Sequence, residues 1–61
     1  MTITEFILKA KIETISVYND KYVLLYRGCT QKINRRLNNA IITKAIYDGD
    51  RSMVVCCMRN N

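Results

Sequence analysis

The stretch that decides the fold reads Thr30-Gln31-Lys32-Ile33-Asn34-Arg35-Arg36-Leu37-Asn38-Asn39-Ala40-Ile41-Ile42-Thr43-Lys44-Ala45-Ile46-Tyr47. Ile33, Leu37, Ala40, Ile41 and Ala45 recur at helical spacing. They form a stripe about 140° wide, suited to packing on a sheet. Thr30 stands where a helix wants a cap. Asp48-Gly49-Asp50 follows, with Gly49 as a natural terminator. The spacing predicts one helix over 30–47.

Before this stretch, Tyr22-Val23-Leu24-Leu25-Tyr26 reads as a strand broken by Gly28. Tyr18-Asn19-Asp20-Lys21-Tyr22 is turn chemistry, because Asn and Asp tolerate left-handed backbone and bond their own amides. The two tyrosines flanking the turn are placed to pair across the strands. Further back, Phe6, Leu8, Ala10 and Ile12 alternate with Lys9, Lys11 and Glu13, the period of a half-buried strand. Ile3, Phe6, Ile7 and Ala10 also fit a helical stripe, and Thr2 with Glu5 mimics a capping box. The alternation covers more residues, so a strand is expected. After Glu13 the phase passes to Ile15 and Val17, which a bulge or bend would explain.

After the stretch, Ser52-Met53-Val54-Val55-Cys56-Cys57-Met58 reads as a third strand, nearly all apolar. Either both its faces are covered or one face meets a partner. The expectation is an α+β fold, a three-stranded sheet in β-β-α-β sequence and order 2-1-3, forming a single small domain over 1–61. Strand three runs parallel to strand two, and the one main helix packs on one face. One helix cannot cover both sides of three strands. The far side must therefore be polar or masked by another chain.

With 61 residues, the chain holds one domain and buries about 60 % of its unfolded surface. This excludes a two-domain enzyme, a nucleotide-binding α/β fold and a repeat array. At 49 % hydrophobic residues, it is too apolar for a disordered tail. No run of apolar residues is long enough to span a membrane, and Met1 to Glu5 lack the cationic start of a secretory leader. Ten Lys and Arg oppose five Asp and Glu, for a net charge of +5. No acid lies between Asp20 and Asp48, where Lys21, Arg27, Lys32, Arg35, Arg36 and Lys44 fall. Such a field attracts nucleic acid, an anionic membrane or an acidic protein. It also serves simply to solvate a small protein.

Catalytic chemistry is thin. There is no histidine to act as base. Asp48 and Asp50 in a glycine turn read as a helix stop rather than a metal pair. Cys56-Cys57 is not a zinc-type pair, and no second pair accompanies it. The only glycines are Gly28 and Gly49, so no phosphate loop exists. The chain reads as a binder, not an enzyme, with no cofactor and no metal.

On the expected helix, the face opposite the core stripe carries Lys32, Arg35, Arg36, Asn39 and Thr43, with Ile42 and Ile46 beside it. Basic, amide and apolar groups side by side suit a partner-binding patch. The plainer reading is a solvated face with two exposed isoleucines. Three cysteines, Cys29, Cys56 and Cys57, make no disulfide framework, and reduced thiols in a cytosol are expected. Adjacent strand residues point to opposite faces, so one of Cys56 and Cys57 is expected to be a buried hydrophobe. The other could link two copies through an intermolecular disulfide.

The second half of the chain resembles the Dmd antitoxins of T-even-like phages. Asn39, Lys44-Ala45, the apolar pair Ile46-Tyr47, Asp48 and Val55-Cys56 carry the resemblance over about the last 25 residues. The size and the strand-strand-helix-strand order of the expected fold agree with that family, and the abundant Asn, Ile and Lys fit an AT-rich phage genome. The resemblance implies a phage antitoxin that enters a groove of a host toxin endoribonuclease of the RnlA or LsoA type and blocks its active site. It would act in the cytoplasm of the infected bacterium and protect phage mRNA. A helix asparagine of the family falls here at Asn39. The family's aromatic near the helix start falls at Thr30, a departure that bears on which toxin is recognised. A chain of charge +5 cannot mimic an RNA backbone, so inhibition would be steric or rest on acidic toxin groups. The alternative is a small nucleic-acid-binding regulator using Arg27, Lys32, Arg35 and Arg36, and a homodimer without ligand is a third reading. Tyr22 and Tyr26 alone make no ladder of aromatics for an RNA platform.

Overall fold

The computed structural model describes residues 1–58. One helix, α1 (Ile3–Ala10), precedes four strands: β1 (Thr14–Tyr18), β2 (Leu24–Cys29), β3 (Ile41–Gly49) and β4 (Ser52–Met58). The class is α+β. The sheet order is β2-β1-β4-β3. β1 pairs antiparallel with β2 and parallel with β4, and β3 pairs antiparallel with β4.

Three expectations give way. The first segment is a helix, not a strand. Thr2 Oγ1 accepts the Glu5 N–H at 3.2 Å, while Glu5 Oε1 accepts the Thr2 N–H at 3.0 Å, which completes the capping box. Ile3 is fully buried, and Phe6, Ile7 and Ala10 pack against the core, so the helical stripe outweighs the alternation. Lys11 ends the helix in left-handed conformation, φ 53°. The change of phase near Glu13 marks a change of element rather than a bulge within one strand.

The helix over 30–47 is absent. In its place stand two single-turn 3-10 helices, Thr30–Lys32 and Arg35–Leu37, followed by β3. The residue types explain this. Asn34 turns the chain with its own side chain, accepting the Arg36 N–H at 2.9 Å. Asn38 and Asn39 form the next turn. Ile41, Ile42, Thr43 and Ile46 are β-branched and favour the pleated strand. Leu37 and Ala40 are nevertheless buried, but from an irregular connection. Thr30 does not cap a helix. Its N–H reaches Glu13 O at 2.9 Å and its hydroxyl donates to Ile12 O at 3.1 Å, tying the exit of β2 to the entrance of β1.

The sheet therefore has four strands. The expected order 2-1-3 gives way to β2-β1-β4-β3: the last strand lies beside β1 but parallel to it, not to β2, and β3 is added at the edge. The β3–β4 hairpin accounts for this reversal. Asp48-Gly49-Asp50 is not a helix stop: Gly49 (φ 142°) opens the hairpin turn, and Arg51 (φ 56°) closes it. Arg51 also pairs with Glu13 at 3.0 Å, an exposed bridge of little energetic weight.

The core lies on one side of the sheet. Ile15 and Val17 of β1 and Met53, Val55 and Cys57 of β4 are buried beneath Ile3, Ile12, Leu37 and Ala40. The start of α1 is sewn to the connection by Ile3 N–H to Ala40 O (3.0 Å) and Thr4 N–H to Asn38 O (3.3 Å). The Met1 carbonyl accepts the Ile42 N–H at 2.9 Å, so the chain start also pairs with the beginning of β3.

Hydrogen bonds from the Thr2 backbone and hydroxyl hold the Glu5 carboxyl below its ordinary pKa. A carboxylate with a lowered folded pKa contributes stability above its unfolded value, about 4.3, and loses it as pH falls through the folded one. Glu5→Gln should therefore lower the thermal midpoint at neutral pH. The difference from wild type should shrink as a thermal-unfolding series is carried into acid below that value.

Candidate functional site

Strand register sorts the side chains into two faces, because directly opposed residues share a face. The covered face carries two rows: Gly28–Ile15–Met53–Tyr47 and Tyr26–Val17–Val55–Ala45. Gly28 has φ 149°, and a Cβ there would stand 3.2 Å from the Tyr26 hydroxyl, which donates to Cys29 O at 2.6 Å.

The opposite face has no layer over it among the described residues. Its three rows read Cys29–Thr14–Ser52–Gly49, Arg27–Ser16–Val54–Ile46 and Leu24–Tyr18–Cys56–Lys44. The centre is largely apolar, and a cation stands at each edge. Arg27 lies back over the sheet, donating from Nε to Ser16 Oγ and from a terminal nitrogen to the Tyr18 hydroxyl, both at 3.3 Å. That explains why Ser16 is nearly buried on an otherwise open face. Lys44 stands at the other edge and makes no ion pair among the described residues.

The β1–β2 turn closes one end of this face. Asn19 Oδ1 accepts the N–H groups of Lys21 (2.8 Å) and Val23 (3.0 Å), and Asn19 O accepts that of Tyr22. This holds Tyr22 at φ 61°, with its side chain 71 % exposed. Tyr18 and Tyr22 do not pair across strands, since Tyr18 opposes Leu24 and Tyr22 belongs to the turn. They instead line one shallow groove of about 340 Å³ with Lys44, Ile46, Val54 and Cys56. A second hollow, about 330 Å³, continues it past Thr43 to Met58.

The residues expected to form one helix face are dispersed. Lys32, Arg35, Arg36 and Asn39 are exposed on the connection between β2 and β3. Arg35 lines a different hollow, beside Thr4, Ile7 and Leu8 of α1. Ile42 packs against the core, whereas Ile46 points to the open face and is 59 % exposed. Thr43 is the extra residue of a bulge between Ile42 and Lys44, with its hydroxyl donating to Cys56 O at 3.3 Å. Asn39 is on a turn, not on a helix. Cys57 lies in the core, and Cys56 is half-buried in the groove floor.

Sequence reasoning missed Tyr18, Tyr22, Val54 and Lys44 as site residues. The signal was present in the apolar run of β4, which required something on both faces. No group of three metal-ligating side chains occurs among the described residues, and no described helix is long and apolar enough to cross a membrane. No protein family, curated protein or solved structure matches this chain.

The faces make a direct chemical prediction. Under native conditions, a thiol reagent should modify exposed Cys29 first and Cys56 more slowly, and reach Cys57 only on unfolding. Mass spectrometry of the labelled peptides separates Cys29 from the Cys56-Cys57 pair, and fragmentation separates the pair.

Proposed function

We propose that this chain is a phage antitoxin that docks on a host toxin endoribonuclease of the RnlA or LsoA type and blocks it sterically. The single observation that carries the reading is the uncovered sheet face, an apolar centre between two cations with two tyrosines at one end. Burying such a face beneath a folded partner removes apolar surface from water, at about 25 cal/mol per Å². Tyrosine and arginine are the residue types that concentrate interface energy. Arg27 and Lys44 suit acidic groups on the toxin and are poorly suited to imitating its RNA.

The residues that carry the family resemblance support this placement. Lys44, Ala45, Ile46, Tyr47 and Asp48 lie on β3, Val55 and Cys56 on β4, and Lys44 opposes Cys56 while Ala45 opposes Val55. They make one hairpin, and its outward members Lys44, Ile46 and Cys56 line the groove. The strand-strand-helix-strand order does not support it, because the helix comes first in this chain. Asn39 stands outside the hairpin as an exposed turn residue.

The run of positive charge favours a second reading, a nucleic-acid binder using Lys32, Arg35 and Arg36. Salt discriminates the two, since phosphate contacts weaken steeply as counterions compete.

The test is inhibition of RNA cleavage by purified toxin, at low and high salt. The wild-type chain should inhibit at both. Tyr22→Ala should keep its fold by circular dichroism and lose about 2 kcal/mol of toxin affinity, the scale of an interface hot spot. Full inhibition by Tyr22→Ala would remove the open face from the account. No inhibition by the wild type, with RNA binding that vanishes at high salt, would leave the nucleic-acid reading.

A further inference from the structure

β3 is an edge strand. The chain start pairs with it only at Ile41 and Ile42. From Thr43 to Asp48 its outer edge pairs with no element among the described residues. Proteins usually shorten or cover such an edge, since its unmet amides and carbonyls recruit another strand. Here Ile46 and Tyr47 are 59 % and 72 % exposed on it.

We propose that this edge pairs antiparallel with the same edge of a second copy, centred on Ile46. The register follows from symmetry and charge. A two-fold axis normal to the sheet keeps each face on its own side, and opposed antiparallel residues share a face. One residue must therefore oppose its own copy. Lys44 to Tyr47 is the regular window between the two bulges of β3. Centring on Ala45 would set Lys44 against Ile46, and centring on Tyr47 would set Ile46 against Asp48. Within that window, centring on Ile46 sets Ile46 against itself and Ala45 against Tyr47, and it brings each Lys44 to the end of the window beside the bulge residue Asp48 of the other copy. This register alone pairs the apolar residues together and the opposite charges together, and such pairs stabilise strand pairing. It also joins the two open faces edge to edge. A contact confined to one strand edge is smaller than a standard interface of about 1,600 Å², so the association depends on concentration.

The experiment is sedimentation of the purified, reduced chain alone, from about 10 µM to about 1 mM, the range in which a sub-standard interface forms. The mass should rise from one chain towards two. Lys44→Asp and Asp48→Lys should each leave the circular dichroism spectrum unchanged and shift half-association at least tenfold upward. The double variant, with the charges exchanged, should return to near the wild-type value. A wild-type mass that stays at one chain throughout would overturn the proposal. So would single reversals that change nothing, or a double variant no better than the singles. The readout involves no toxin, so its failure is separate from failure of the antitoxin reading.

Discussion

The parallel pairing of β1 with β4 is the contact on which everything else rests. It joins the two strands that bring most of the buried apolar residues, Ile15 and Val17 from one and Met53, Val55 and Cys57 from the other. A parallel neighbour cannot follow through a tight turn, so the chain must first build β2 and β3 at the flanks. The resulting core has one side only. α1 and the connection before β3 supply its cover, and among the described residues no second layer lies on the other side. The open face is thus a consequence of how the core is made.

Much of this was legible in the residues. The class, the turn at Asn19 and the strand over 52–58 follow from local chemistry and apolar content. The apolar run of β4 also posed the question of its second face, which the structure leaves uncovered among the described residues. Helix and strand were exchanged in two places. Over 3–10 the helical stripe and the strand alternation competed on nearly equal terms, and the capping box of Thr2 and Glu5 was the better guide. Over 30–47 the stripe held for buried Leu37 and Ala40 and for Ile33 and Ala45, which pack against the core, but not for Ile41, which is exposed while Ile42 packs inward, and it was false as a period. Leu37 and Ala40 reach the core from turns made by asparagines, and Ala45 reaches it from a strand. Burial alone does not reveal which backbone delivered it.

Exchanging those elements dispersed the expected site. A helix would have put Lys32, Arg35, Arg36, Asn39, Thr43 and Ile46 on one surface. The actual chain leaves the first four beside or beyond α1 and turns Ile46 to the other side. The positive charge therefore divides. One portion lies on the connection, away from the open face, with Arg35 beside Ile7 and Leu8 of α1. The other, Arg27 and Lys44, flanks an apolar groove. Charge beside buriable surface is what a protein partner uses. The proposed edge pairing of β3 extends the same logic, since it would set two such grooves side by side.

The central claim is that function resides on the uncovered face, and nuclear magnetic resonance of the isotope-labelled chain tests it most directly. Toxin ribonuclease would be added while the amide and methyl signals are followed. The account predicts that Tyr18, Tyr22, Lys44, Ile46, Val54 and Cys56 shift or broaden first, with the connection around Lys32, Arg35 and Arg36 unaffected. Changes confined to that connection, with the open face unmoved, would contradict it.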